Sequence, residues 1–269
     1  MTPDVAGQRR TDALGTVPLT SGQRHMFAIA SLLGSIGLWW LVSAAGWVDQ
    51  VLLPSPVAVL KAFLSSVADG SLLKNVVASL LRVVEGFLLA AIIAIPLGVA
   101  MGISRIVHGL IDPLLELLRP IPPIAVIPLA ILWFGIDELS KVFIIAYGAF
   151  FPILVNTMAG FREVERVQVR AAQTLGANRY QIFRDVALRS AFPFIIVGAR
   201  LGMSMVFIVL VAAELIASSA GLGFMISDAR YNFRTDQIFV GMACIGVLGF
   251  SLNMLLLQLE RSLLGWKAV

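Results

Sequence analysis

FREVERVQVRAAQTLGANRYQIFRDVALRSAFP, residues 161–193, is a polar, arginine-rich segment set between long apolar runs. It carries too many charges to lie in lipid and is too patterned for a slack loop. Val164, Val167, Ala171, Ala172 and Leu175 recur at helical spacing, which predicts a first helix with one apolar face. Gly176 suits that helix's C-terminus, and Asn178 can cap a second helix carrying Ile182, Phe183, Val186 and Ala187 on one side. The expectation is a helix–turn–helix held against a membrane. Small residues on its exposed face would let another protein come close.

Composition fixes the broad class. The chain has 269 residues, 59% hydrophobic and 13% charged, with a mean hydropathy of +0.92. A soluble domain could not cover that much apolar surface with so few charges. An all-α integral membrane protein is expected. The net charge of +4 does not point to nucleic acid, because the cations are placed by topology. The single cysteine, Cys244, lies in an apolar run and excludes an internal disulfide. His25 and His108 are far apart in sequence, and no metal site is expected.

Six spans are predicted near 26–46, 83–103, 120–135, 140–160, 193–214 and 238–260, each of roughly the 20 residues that cross hydrocarbon. The third is the weakest, short and broken by Pro120, Pro122, Pro123 and Pro128. Residues 1–22 read as a flexible cytoplasmic tail, 53–80 as an amphipathic interfacial helix with its connector, and 215–237 as an extracytoplasmic turn. With the N-terminus inside, thirteen Lys and Arg fall on the cytoplasmic side and six outside, leaving Arg200 within a span. The segment at 162–190 is then cytoplasmic and alone holds six arginines. Six spans bring the C-terminus back to the cytoplasm.

No motif here performs chemistry, and no catalytic residue is assigned. A phosphate-binding loop needs Gly-Lys followed by Ser or Thr; the lysines here are followed by Ala62, Asn75, Val142 and Ala268. HExxH and GxSxG are absent from the sequence. If ATP energises transport, another chain hydrolyses it. Polar groups within spans are the pathway candidates: Arg200, Glu214 and Asn156, with the close-approach pair Gly198 and Gly202. Arg200 either lines an anion path or snorkels to the cytoplasmic interface. Glu214 either holds a gate or the following loop, or is a hydrogen-bonded structural carboxylate. Gly98 and Gly102 repeat the GxxxG spacing and are read as packing. Arg82 and Glu85 are read as a local pair. A channel or secondary transporter would need coupling-ion ligands in its spans, and a membrane enzyme would need a catalytic cluster. The sequence offers little for either.

The opening segment resembles the cytoplasmic coupling loop of bacterial binding-protein-dependent ABC importers, whose pattern is Glu-Ala-Ala, three residues, Gly, nine residues, then Ile-x-Leu-Pro. Here Arg170-Ala171-Ala172 and Gly176 stand at the first positions, and Val186, Leu188 and Arg189 at Ile, Leu and Pro. Arg170 and Arg189 depart from the pattern. Residues 118–141 (LRPIPPIAVIPLAILWFGIDELSK), 211–225 (VAAELIASSAGLGFM) and RAAQTLGA at 170–177 are similar to the nitrate/sulfonate/taurine branch, most of all to its taurine permeases. The resemblance covers about residues 30–266. It implies a type I importer (MetI-like) permease fold over 23–269, six spans, both termini cytoplasmic, and a bacterial inner-membrane location. It also implies that Arg170, Ala171, Ala172, Leu175, Gly176, Ala177, Asn178, Val186 and Leu188 couple to the ATPase. The implied partners are a second copy of the chain, two ABC ATPase subunits that bind ATP and Mg, a periplasmic or lipid-anchored substrate-binding protein, and membrane lipid. This chain itself is expected to hold no cofactor. The implied cargo is a small anion, taurine or an alkanesulfonate first, with nitrate, bicarbonate or a vitamin precursor as alternatives.

Overall fold

In the computed structural model, α6 (Glu138–Arg162) is the central helix of the core, packing against both α3 (Ser71–Ile103) and α9 (Leu188–Ala217). The structure describes residues 21–263; the predicted tail at 1–22 lies almost wholly outside them. The remaining elements are α1 (Ser21–Ala44), α2 (Pro56–Ala68), α4 (Arg105–Leu118), α5 (Pro123–Phe134), α7 (Arg166–Thr174), α8 (Arg179–Gln181), a π-helical turn at Ile182–Ala187, α10 (Leu222–Tyr231) and α11 (Thr235–Leu263). No strand occurs among the described residues.

Two units divide the chain, residues 1–60 and 61–269. In the first, the segment after α1 folds back on the helix end. The Trp39 indole donates to the Pro54 carbonyl at 3.0 Å, and the Ser43 hydroxyl to the Leu53 carbonyl at 3.4 Å. The second unit holds the core, where small residues let helix backbones approach. A side chain on Gly98 would meet Thr157 and the Leu154 carbonyl of α6, and one on Gly198 would meet Asn156 and the Pro152 carbonyl. Ala90, Ala94, Ile144, Ile145, Ala149, Ile153, Leu154, Val206, Val209 and Leu210 fill the space between the three helices.

Among the described residues four helices are long and apolar enough to cross a membrane: 71–103, 138–162, 179–217 and 235–262. Counting the bent pair 105–118 and 123–134 as one span makes five. The predicted span at 120–135 is therefore half of a broken element, with a 97° bend between α4 and α5. Pro120, Pro122 and Pro123 explain the bend, since none can donate into a continuing helix. The carbonyl of Leu118, which cannot accept from Pro122, accepts instead from the Ile121 amide at 3.1 Å and the Tyr147 hydroxyl at 2.9 Å, so the break is satisfied inside the protein.

Two more predicted boundaries change. The helix that carries the span expected from 83 begins at Ser71, because Asn75, Ser79 and Arg82 form one polar stripe on a largely apolar helix and the fold supplies partners for it. The turn expected at 215–237 contains the helix α10, whose Leu222, Gly223, Met225, Ser227 and Ala229 are buried.

Candidate functional site: an exposed knob and a buried ion cluster joined by one helix

The 161–193 segment folds as its caps predict. α7 ends with Gly176 at φ +81°. The Gly176 amide donates to the Gln173 carbonyl and the Ala177 amide to the Ala172 carbonyl, both at 3.0 Å, the paired bonds of a Schellman motif. Asn178 then opens the next helix with a capping box. Its side chain accepts from the Gln181 amide at 2.9 Å, and the Gln181 side chain accepts from the Asn178 amide at 2.8 Å. A π-helical turn follows, its Leu188 amide bonded to the Phe183 carbonyl, and α9 continues from it. Helical structure thus runs unbroken from Arg179 to Ala217, 39 residues, or roughly 58 Å at 1.5 Å per residue.

The apolar stripe of α7 does not all turn inward. Val164 and Ala172 are half-buried, whereas Ala171 is exposed, Val167 is 74% exposed and Leu175 88%. The anchor is the second helix: Phe183 stacks on Phe161 with ring centres 5.9 Å apart, and Ala187 and Leu188 pack on Phe161, Ala191 and Ile195. Tyr180 is also exposed at the tip. A hollow of about 300 Å³ lies beneath the turn, lined by Ala172, Leu175, Gly176, Ala177, Gln181 and Val186. Beside it, Glu163, Glu165, Gln168, Asp185, Arg189 and Ser190 border a cleft of about 540 Å³. Arg184 and Arg189 share Asp185 at 3.2 and 3.8 Å. Arg162, Arg166, Arg170 and Arg179 have no carboxylate partner among the described residues. The knob offers small residues, one prominent leucine and uncommitted guanidinium groups.

At the far end of the same helix lies a cluster of charges. Glu214 is buried, its side chain wholly inaccessible, and accepts from Arg82 Nη1 at 2.6 Å, the Ser79 hydroxyl at 2.8 Å and the Gly223 amide at 2.8 Å. Arg82 also donates to Glu138 through Nε at 2.6 Å and Nη2 at 2.8 Å, and to the Ala220 carbonyl at 2.6 Å. Lys141 reaches Glu138 at 2.9 Å. The pairing of Arg82 with Glu85 read from the sequence is not formed, since both its partners come from α6 and α9. The three amides that lead into α10 are all occupied: Gly221 on Asn75 at 2.9 Å, Leu222 on the Ser79 hydroxyl at 2.8 Å, Gly223 on Glu214. A side chain on Gly221 would overlap the Glu214 carboxylate, and one on Gly223 would come within 2.6 Å of Glu214 Cβ. Gly221-Leu222-Gly223 is glycine-flanked so that a buried carboxylate can sit against backbone. Asn75, Ser79, Arg82, Glu138 and Lys141 were not singled out as site residues. The local signals are the polar spacing 75, 79, 82 on a largely apolar helix and the three-residue spacing of Glu138 and Lys141.

The other pathway candidates fall in different surroundings. Arg200 is 36% exposed in its side chain and pairs with Glu260 of α11 at 3.2 Å. The Asn156 amide donates to the Pro152 carbonyl at 2.8 Å, and its Cβ lies against Gly198. Gly198 and Gly202 bring α9 onto α6 through Asn156, Ile153 and Ala149. Glu214 and Arg200 are not brought together. No group of three His, Cys, Asp or Glu that could hold a metal occurs among the described residues.

Comparison with known proteins bears on both ends of this helix. Residues 86–264 match the family described as the binding-protein-dependent transport system inner membrane component. The chain is 39% identical to the taurine transport system permease protein TauC of Escherichia coli (strain K12), over 89% of each chain. It is 35% identical to the putative aliphatic sulfonates transport permease protein SsuC of Bacillus subtilis (strain 168), over 96% of this chain and 98% of that one. With the bicarbonate transport system permease protein CmpB of Synechococcus elongatus it shares 31% identity over 89% of each. A family match that takes in the whole knob and residues 214–223, together with several membrane-length helices, leads to one conclusion: the chain is a multi-pass inner-membrane protein and belongs to the permease subunits of ABC transporters, the inner membrane components of binding-protein-dependent transport systems.

Proposed function

We propose that this chain is the permease of an ATP-driven importer for a small sulfonate anion, taurine or an alkanesulfonate, working as a pair of copies with six spans each and both termini in the cytoplasm. Two separate ATPase subunits bind ATP and Mg and receive the loops at 162–190, within a permease domain running from 23 to 269. A periplasmic or lipid-anchored binding protein delivers the cargo. The observation that carries this reading is the unbroken helix from Arg179 to Ala217. It begins in an exposed knob and ends in a buried, fully bonded ion cluster. Closure of an ATPase dimer would push on Leu175, Gly176 and their neighbours, and a rod of this length would carry the displacement to the α9–α10 corner.

The substrate proposal leans on the relatives named for taurine and aliphatic sulfonates, at 39% and 35% identity. The bicarbonate relative, at 31%, keeps other small anions in competition. The test is ATPase activity of the chain reconstituted with its neighbouring ATPase, with and without the neighbouring binding protein, across taurine, alkanesulfonates, nitrate and bicarbonate. Stimulation that requires the binding protein and a sulfonate is expected. Stimulation by bicarbonate or nitrate alone overturns the substrate, and failure to bind any ATPase overturns the importer.

Arg200 is the pathway candidate that combines a charge with an exposed side chain, while Asn156, Gly198, Gly202 and Glu214 would act from behind it by setting helix positions. Arg200→Ala is expected to lower uptake about tenfold, equivalent to roughly 1.4 kcal/mol, with the complex still assembled. Wild-type uptake would reduce Arg200 and Glu260 to a packing pair.

A further inference from the structure

The hairpin of α10 and α11 ends in an apex at residues 231–234. Gly241 of α11 lies against Ile226 and the Leu222 carbonyl of α10, so the start of α10 is level with residue 241. Thr235 opens α11 six residues earlier, about 9 Å further along. Tyr231-Asn232-Phe233-Arg234 therefore projects beyond the point where α10 begins, at the end of the fold opposite the knob.

The apex repeats the Schellman bonds of the knob with a different residue. The Phe233 amide donates to the Arg230 carbonyl at 3.2 Å and the Arg234 amide to the Ala229 carbonyl at 2.8 Å. At the knob the left-handed position is held by Gly176 at φ +81°; here it is held by Phe233 at φ +54°, the one non-glycine residue with positive φ among the described residues. A bulky L-residue is disfavoured there. Packing does not offset that cost, since Phe233 is 81% exposed and its neighbour Tyr231 73%. Arg230 lies over the Tyr231 ring at 4.7 Å and has no carboxylate partner among the described residues, whereas Arg234 pairs with Asp228 at 2.9 Å. Strain held on an exposed ring points to a contact made elsewhere. Exposed aromatics beside arginine are the residues that dominate protein interfaces.

We propose that this apex is a docking contact for the soluble substrate-binding protein, with Phe233 entering an apolar recess on that protein and Arg230 meeting one of its carboxylates. The proposal rests on the importer reading. Three observations point to this occupant: the family's dependence on a binding protein, an Arg230 with no carboxylate partner among the described residues, and the position opposite the knob. A lipid-interface role for the ring is the competing outcome.

The experiment uses the complete complex in nanodiscs with its ATPase and its binding protein, and titrates ATPase activity against binding-protein concentration. Phe233→Gly relieves the backbone, so thermal stability is expected to hold or rise and basal ATPase activity to stay unchanged. The concentration for half-maximal stimulation is expected to rise about tenfold or more. Phe233→Ala should shift it equally without the gain in stability, and Arg230→Ala should shift it less. A photo-crosslinking residue at 233 should capture the binding protein. Wild-type titration curves for both Phe233 variants, or crosslinks to lipid alone, overturn the docking contact and leave the importer standing. If the wild-type complex is not stimulated by any binding protein, the importer reading fails and this contact with it.

Discussion

Arg82→Met is expected to destabilise the purified protein by about 3–5 kcal/mol, the range found when one member of a buried ion pair is removed. Glu214 has a wholly buried side chain, and Arg82 is its only cationic partner among the described residues. Without the guanidinium the carboxylate keeps only the Ser79 hydroxyl and the Gly223 amide. Neither neutralises a charge in low-dielectric surroundings. Glu214→Gln should cost less, about 1–3 kcal/mol, because Arg82 retains its two bonds to Glu138 and one to the Ala220 carbonyl. The double variant Arg82→Met, Glu214→Met should recover part of the loss, since it removes the stranded charge along with its partner. Thermal unfolding of the detergent-solubilised protein, followed by fluorescence-detected size exclusion, orders the three. Equal stability of Arg82→Met and Glu214→Gln would show that Glu214 does not depend on Arg82 for its charge.

The asymmetry of this cluster explains why half of the candidate site could be read in the sequence and half could not. The knob is built from short-range chemistry. Gly176 comes just after the end of α7, Asn178 and Gln181 are three apart, and no single bond that ends one helix or starts the next spans more than six residues. Local spacing is enough to predict them. The ion cluster is non-local: Arg82 finds Glu138 56 residues away and Glu214 132 away. A sequence window around Arg82 contains Glu85 and offers it instead. The same limitation governs helix ends. Asn75, Ser79 and Arg82 look like residues that keep a span from starting before 83, until Glu138, Glu214 and the backbone at 220–222 supply their partners. Gly221 and Gly223 look like turn formers, yet they serve to admit a carboxylate, and a helix follows them. The proline-rich third span is the intermediate case. Its prolines foretell a break, while the bend angle depends on Tyr147 and the packing of α5 on α6. The apolar face of α7 is legible in the spacing, but its exposure is not. Val167 and Leu175 have the spacing of a buried face but remain exposed, as expected of a surface reserved for another protein rather than for the chain's own core.

Gly176→Trp is expected to abolish uptake and to cut ATPase co-purification at least tenfold while the permease remains inserted. Two effects must be separated. Gly176 has φ +81°, so any side chain there carries a backbone penalty of roughly 1–2 kcal/mol. Alanine bears that penalty with a single methyl group. Tryptophan bears the same penalty and adds a large ring. A Cβ at this position meets no atom within 4 Å, so the indole has open space in front of it and its bulk falls on whatever approaches the knob. Gly176→Ala should therefore lower stability slightly and leave most of the co-purification intact. The difference between the two variants measures docking free of backbone strain. Phe161, Phe183 and Ala191 anchor the knob on its opposite side, so membrane insertion and the stability of the helical core should be alike for both. Co-purification and uptake of Gly176→Trp at the level of Gly176→Ala would mean that the turn does not face the ATPase, and the coupling surface would have to be sought on the arginine face of α7 instead.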